Sequence, residues 1–433
     1  MIKSFRLFFG GIMLTSTITK VCARQILDSR GNPTVEAEVQ LCDGTKGIAS
    51  VPSGASTGAY EAKEKRDNDG RKYAGKGVMK AVSGINTEIC EALKGTVSTD
   101  QARIDYLLCS LDGTPDKSRL GSNAILAVSL AAARAAAFSK KLPLWRYLGG
   151  AMVRTLPMPM MNVLNGGRHA GNRLDIQEFM LVPVGAKSFE TAVRMCVEVC
   201  YALKKALPCS GVGDEGGFAP SIETADEALS ILIKAIGDAG YQPGRDISVA
   251  IDAAASEWAV DKAYQLPKSG ELLTTGELTD YYAELCSRYP ICSIEDPLGE
   301  EDWEGWAKLT ERLYHRVLLV GDDLFVTDVS RIRKGVEERC ANAVLIKPNQ
   351  IGTLTETASA VHEAKKVGYS VIMSHRSGDT EDAFIADLAV ALECPFIKAG
   401  APIRGERTSK YNQLLRICDA LGNTACFAGS GIC

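Results

Sequence analysis

Between Ser248 and Lys398 the chain repeats one device six times: SVAID ends at Asp252, ICSIED at Glu295 and Asp296, VLLVGDD at Asp322 and Asp323, AVLIK at Lys347, YSVIMSHR at His375 and Arg376, and PFIK at Lys398. Each is a short apolar run closed by a polar residue. Amphipathic stretches such as Trp303 to Tyr314, Thr353 to Lys366 and Glu381 to Leu392 lie between them. Uninterrupted Val, Ile and Leu fit a strand buried on both faces, which means a parallel sheet flanked by helices. A polar residue at the carboxyl end of each strand is the arrangement of a (β/α) barrel, whose active site is built at that rim. Carboxylates, lysines, a histidine and an arginine are therefore predicted to converge on one mouth.

Upstream the pattern changes. From Ile18 to Val51 it is strand-like: Asp28 to Pro33 is a dense turn signal, Thr34 to Leu41 alternates apolar and polar, and Asp43-Gly44 turns again. VPSGASTG (Val51 to Gly58) is a loop of small residues that reads either as a flap approaching a ligand or as a tight connection, and a charged helix is expected after it. Further helices are expected over Val78–Leu93, Asp100–Cys109 and Ser122–Phe138, the last with Ser122 as N-cap, and Gly149-Gly150 ends the region. The 433 residues thus divide into an extension over 1–17, an α+β domain over 18–150 and the barrel over 151–433.

A net charge of −4 with mixed signs gives no electrostatic case for nucleic acid or an anionic membrane. The sequence has no apolar run of about eighteen residues, so no membrane span is expected. Fourteen cysteines without a Cys-x-x-Cys pair fit thiols in a reducing compartment, and Cys196 with Cys200 lacks the further ligands of a metal site. Lys3, Arg6 and the apolar Leu7–Leu14 fit a weak targeting segment or an extension without function. The expected location is cytoplasmic, with an organellar address left open.

Asp252, Glu295 and Asp322, each one strand–helix–strand repeat from the next, are hard oxygen donors suited to Mg²⁺; singly, each could instead cap a helix. Lys347, His375, Arg376 and Lys398 on the same rim point to a substrate with more than one negative charge, and Arg376 with Ser377 suits a phosphate. Lys347 beside a divalent cation reads as a base of lowered pKa, or else as a salt bridge to the rim acids. Asn165-Gly166-Gly167 forms a sharp loop with His169, Gln177 and Glu178 on its far side. Glu215, walled by glycines in GVGDEGGFAP, reads as a turn residue or as a catalyst.

Ten motifs stand in order along the chain: DSRGNPTVE, VPSGASTG, NVLNGGRHAGN, QEFMLVP, GDEGGFAP, SIEDP, GDDLFVT, KPNQIGTLTE, SHRSGDTED and IKAGAP. From about Ile18 to Ala428 they resemble the enolase family. The resemblance implies an enolase-type (β/α)8 barrel behind a smaller α+β domain. It also implies a hydro-lyase of glycolysis and gluconeogenesis: reversible, Mg²⁺-dependent dehydration of 2-phospho-D-glycerate to phosphoenolpyruvate and water. Carried over by residue, Asp252, Glu295 and Asp322 hold a first Mg²⁺ on the substrate carboxylate, and Ser56 completes a second once substrate is present. Lys347 removes the proton beside that carboxylate, Glu215 helps the hydroxide leave, and Glu178 pairs with Glu215. His169, Gln177 and His375 border the substrate, Arg376 and Ser377 bind its phosphate, and Lys398 meets its carboxylate. The family's usual state is a homodimer.

Three positions depart from the family pattern: Arg168 stands where serine is usual, Asp175 where a small residue is, and Asp379 where glutamate is. Two other readings compete. A racemase or cycloisomerase of the same superfamily would act on a non-phosphorylated acid, against SHRSG and SGASTG; a binding protein that merely keeps the fold would not need Lys347, Glu215 and the metal acids.

Overall fold

The computed structural model describes residues 16–55, 58–207, 210–261 and 263–429. Most of the leading segment, on which the targeting reading falls, and the expected metal ligand Ser56 lie outside the described residues. The chain opens with a meander, β1 (Ile18–Leu27), β2 (Pro33–Leu41) and β3 (Lys46–Ser50), paired antiparallel in the order β1-β2-β3. Val35, Ala37, Val39 and Leu41 of β2 are buried at every second position, as alternation requires when one face of a sheet is covered.

The cover is helical. After the short helix α1 (Gln101–Asp112), capped by Asp100, comes α2 (Ser122–Ser139). With a mean hydropathy of 1.3 over eighteen residues, α2 is long and apolar enough to cross a membrane, yet most of it is packed inside the protein, as a helix apolar all round must be. It lies so close to the sheet that a Cβ on Gly47 would stand 2.2 Å from the backbone nitrogen of Ala135. Ser122 is not its N-cap. Gly121 holds that position at φ +103, where a Cβ would meet the Lys65 backbone, and the Ser122 hydroxyl instead donates to the Ala62 carbonyl. The expected Val78–Leu93 helix forms with a π-helical turn at Ile85–Ile89.

The charged helix expected after Gly58 is absent: residues 59–70 run as irregular chain. Their backbone donors go to other segments, Ala62 to the Gln350 carbonyl (2.8 Å), Lys63 to that of Asp116 (2.8 Å) and Lys65 to the Asn123 side chain (2.9 Å). Tertiary partners have replaced the helical ladder that propensity favoured.

Eight strands then close into a barrel: β4 (Met158–Asn165), β5 (Glu178–Val182), β6 (Ser248–Asp252), β7 (Ile291–Glu295), β8 (Leu318–Gly321), β9 (Ala343–Ile346), β10 (Ser370–Ser374) and β11 (Phe396–Lys398), with β11 pairing back onto β4. The barrel is not wholly parallel. β5 runs antiparallel to both β4 and β6, because β4 returns through a loop that holds only one 3-10 turn, Gly167–His169, in place of a crossover helix. Met158, Met160, Met180, Val182, Ala250, Val320, Leu345, Ile372 and Phe396 fill the interior, while the other strand faces join a single larger core with the helices and the first domain.

Buried polar ties join the two domains. Arg134 on α2 grips Asp382 in a fork (2.6 and 2.7 Å), and Asp105 on α1 accepts from the amide and hydroxyl of Thr355 (2.9 and 2.6 Å). Burial alone would raise the Asp382 carboxyl, but the Arg134 guanidinium outweighs it and holds the group below the usual range. A folded pKa below the unfolded one means that the pair's contribution is complete above about pH 4 and is lost as pH falls through the folded value. Arg134→Met should therefore cost about 3–5 kcal/mol at pH 7, where Asp382 is left buried and unpaired. The deficit should narrow as the acid is protonated; urea unfolding at pH 7 and pH 4 measures both.

Candidate active site

The barrel carries the predicted residues to one end. Asp252 and Glu295 are the last residues of β6 and β7 and sit side by side in register; Lys398 ends β11, and Asp322, Lys347, His375 and Arg376 follow β8, β9 and β10. Because β5 runs backwards, its amino end lies at this rim and sets Glu178 in register with Asp252. Gln177, just before it, donates to Asp252 Oδ2 (3.4 Å).

At the centre is the ammonium of Lys398. Its Nζ donates to Glu295 Oε2 (2.8 Å) and Asp252 Oδ2 (3.0 Å) and stands 3.2 Å from Glu178 Oε1. Asp322 takes a different partner, an ion pair with Lys347, and accepts from Gln350 Nε2 (2.8 Å). Gln350 also reaches Glu61 of the first domain (3.3 Å), and Glu61 pairs with Arg376 (2.9 Å). Ser377 Oγ accepts from the Ala55 amide (2.8 Å), which fastens the base of the small-residue loop to the predicted phosphate side of the site.

Glu215 sits in a turn after Gly213, lines the same cavity and is only 3% exposed. It accepts from Asn162 Nδ2 (3.2 Å) and stands 3.4 Å from His375 Nε2. His169 Nδ1 lies 3.7 Å from Glu178 and 3.8 Å from Glu215, beyond hydrogen-bonding reach of either. The glycines around Glu215 have a packing reason. A Cβ on Gly213 would meet the His169 carbonyl at 2.5 Å, and one on Gly217 the Asn165 side chain at 2.6 Å, so only glycine lets this loop lie against the end of β4.

Charge at this rim is unbalanced. Six side chains lining the cavity are carboxylic acids, against three fixed cations, Lys347, Arg376 and Lys398, and Glu295 adds a seventh acid. Burial, then the neighbouring Glu215 charge, raises Glu178 well above the carboxylate range; burial, then Asp252, does the same to Glu295. Burial with the Asp322 charge pushes Asp323 up to about 8. Glu215 resists the pull of burial and stays low because His375, His169 and Lys398 face it. Within this coupled pair the two carboxyls are thus pushed in opposite directions, Glu178 up and Glu215 down. Burial lowers His375 to about 4, so its ring is neutral near pH 7.

Lys347 corrects an expectation. Burial lowers its pKa, but the Asp322 charge more than compensates, and the ammonium is held above its ordinary range rather than below it. Among the protein groups alone, the salt-bridge reading is the one realised.

The residues fit a divalent cation. Asp252, Glu295 and Asp322 offer only hard oxygens and all are buried, and burial with the Asp252 charge raises Glu295 well above the carboxylate range. Among the described residues, ligand atoms come within 4.8 Å of one another in two groups, Asp296 with Asp322 and Asp323, and His169 with Glu178 and Glu215; the predicted set Asp252, Glu295 and Asp322 is not such a group, because Lys398 holds the first two and Lys347 the third. Cys196 and Cys200, by contrast, are buried in the core, where desolvation pushes the Cys200 thiol up to about 11.

Several participants were given no role by the sequence reading, although Gln350 lies within KPNQIGTLTE and Asp296 within SIEDP. Glu61 and Gln350 come from segments distant in sequence, and Asp296 accepts the amides of Asp322 and Asp323 (both 2.9 Å), fixing the turn that presents Asp322. Two of the departures tie rim loops together. Arg168 forms an ion pair with Glu257, and Asp175 accepts from the Lys268 amide (2.6 Å).

Family models match nearly the whole chain: residues 18–148 match the enolase N-terminal domain, and residues 153–433 the enolase C-terminal TIM barrel domain. Lys398→Met would leave Glu178, Asp252 and Glu295 buried together without their shared counter-charge. In chelator at pH 7 the variant should lose about 3–5 kcal/mol of unfolding free energy. Added Mg²⁺ should restore part of it, and an equal loss with and without Mg²⁺ would count against a cation site among these acids.

Proposed function

The chain belongs to the enolase family, and from that premise we propose that it catalyses the reversible dehydration of 2-phospho-D-glycerate to phosphoenolpyruvate and water. The observation that carries this reading is the placing of Lys347 and Glu215 in one cavity, with a surplus of buried carboxylates and the Arg376–Ser377 pair between domains. The hydrogen beside a carboxylate is very weakly acidic, because its removal places a second charge on that group. Asp252, Glu295 and Asp322 would hold one Mg²⁺, and Ser56 would contribute to a second. Bound there, the cations would neutralise the substrate carboxylate and take up the Asp322 charge that now holds the Lys347 ammonium.

Lys347 is then the residue that accepts the proton. Lys398, fixed by three acids, presents a permanent positive charge to the substrate carboxylate. Arg376, held by Glu61, and Ser377 bind the phosphate. The Glu178–Glu215 pair keeps one proton available for the departing hydroxide, while Gln177, His169 and His375 line the walls. The phosphate-side residues favour this substrate over the non-phosphorylated acids of related enzymes. A homodimer working in the cytoplasm is part of the same proposal, and light scattering on the purified protein tests the dimer.

Purified protein given 2-phosphoglycerate and Mg²⁺ should produce the ultraviolet absorbance of the enol double bond, and chelator should abolish it. Lys347→Ala should lower turnover on the order of 10²–10⁴-fold. No turnover by the intact protein would shift the assignment to a binding protein that keeps the fold.

A further inference from the structure

Arg407 lies on the last long helix, α3 (Gly405–Leu421), and is the largest charged side chain in the protein's interior, with no exposed surface. It has no role in the mechanism above, yet its guanidinium is spent almost wholly on the segments that carry the site. Nη1 donates to the Arg376 carbonyl (2.6 Å) and contacts His375 Nδ1 (2.6 Å); Nη2 donates to the carbonyls of Ser377 (2.5 Å) and Asp214 (3.0 Å) and to Ser29 Oγ (3.3 Å). One side chain thus spans the loop bearing Glu215, the loop bearing Arg376 and the first domain. Space is reserved for it: a Cβ on Gly400 would meet Arg407 Cδ at 2.7 Å.

The contact with His375 has a chemical consequence. A guanidinium carries only donors, so Nδ1 must accept, and a neutral imidazole that accepts at Nδ1 carries its hydrogen on Nε2. That Nε2 is the atom 3.4 Å from Glu215 Oε2. We propose that Arg407 is a positioning residue that locks His375 in the Nε2–H tautomer, which turns an N–H rather than a lone pair toward Glu215, 3.4 Å away but short of hydrogen-bond geometry. The alternative tautomer would turn a lone pair on a carboxylate, and the acid could then hold its place only by taking up a proton. The geometry is independent of the substrate, but the catalytic meaning rests on the reading of the Glu178–Glu215 pair as the proton source.

Histidine-selective ¹⁵N spectra of the full chain at pH 7 report the tautomer directly, with His375→Gln used to assign the signal among the four histidines. The wild-type protein should show His375 protonated on Nε2 and bare on Nδ1. In Arg407→Met the signal should move to the Nδ1–H form or to imidazolium, and kcat should fall at least about tenfold, as when a group orienting a functional side chain is lost. Arg407→Lys, which keeps the charge without the fork, should lie between. A wild-type His375 with hydrogen on Nδ1 would overturn the proposal whether or not any variant folds. An unchanged tautomer in a folded variant, or an unchanged kcat with a changed tautomer, would do the same. The expected spectra in a wild-type protein inert toward 2-phosphoglycerate would leave the lock standing and remove the proposed reaction.

Discussion

Too many carboxylates are buried at one end of this barrel for the protein to neutralise by itself. An ionised acid taken out of water is strongly disfavoured unless it is paired and hydrogen-bonded. The chain meets that demand unevenly. Lys398 is shared among three acids, Lys347 is committed to Asp322, and Arg376 to Glu61, while Glu295, Asp296 and Asp323 are left with raised pKa values. An apolar rim would be more stable. A rim so rich in hard oxygen donors makes physical sense where a cation and a charged ligand complete it, and every neighbouring feature serves to hold these groups apart or aim them.

The first domain belongs to that construction. Glu61, supplied from a stretch of irregular chain, braces both Arg376 and Gln350, and through Gln350 it touches Asp322. The interdomain ties at Arg134–Asp382 and Asp105–Thr355, with α2 packed nearly all round, keep this brace in register with the barrel. A site built on two domains depends on an interface that does not slide, which accounts for charged pairs at positions where apolar packing alone would leave the alignment loose.

Glu178 and Glu215 show environment assigning different states to two like groups. Both are buried, but only Glu215 is faced by two imidazoles and the Asn162 amide. Glu178 is pushed above the carboxylate range and Glu215 is held below it.

Much of this was legible in the sequence. Strand runs ending in polar residues gave the barrel and its rim, and the motifs gave the family, because hydrophobic periodicity and turn chemistry are local properties. The reversed β5, the missing helix at 59–70 and Gly121 in place of a Ser122 cap were not legible, since each depends on partners far away in the chain. The same divide runs through the site. The sequence by itself determined which acids, lysines and histidines reach the mouth. Only the tertiary structure decided that Lys398 rather than Lys347 serves Asp252 and Glu295, that Glu61 answers Arg376, and that Arg407 faces His375. Such pairings are settled by distances of a few ångströms between residues tens to hundreds of positions apart, and no local pattern records them.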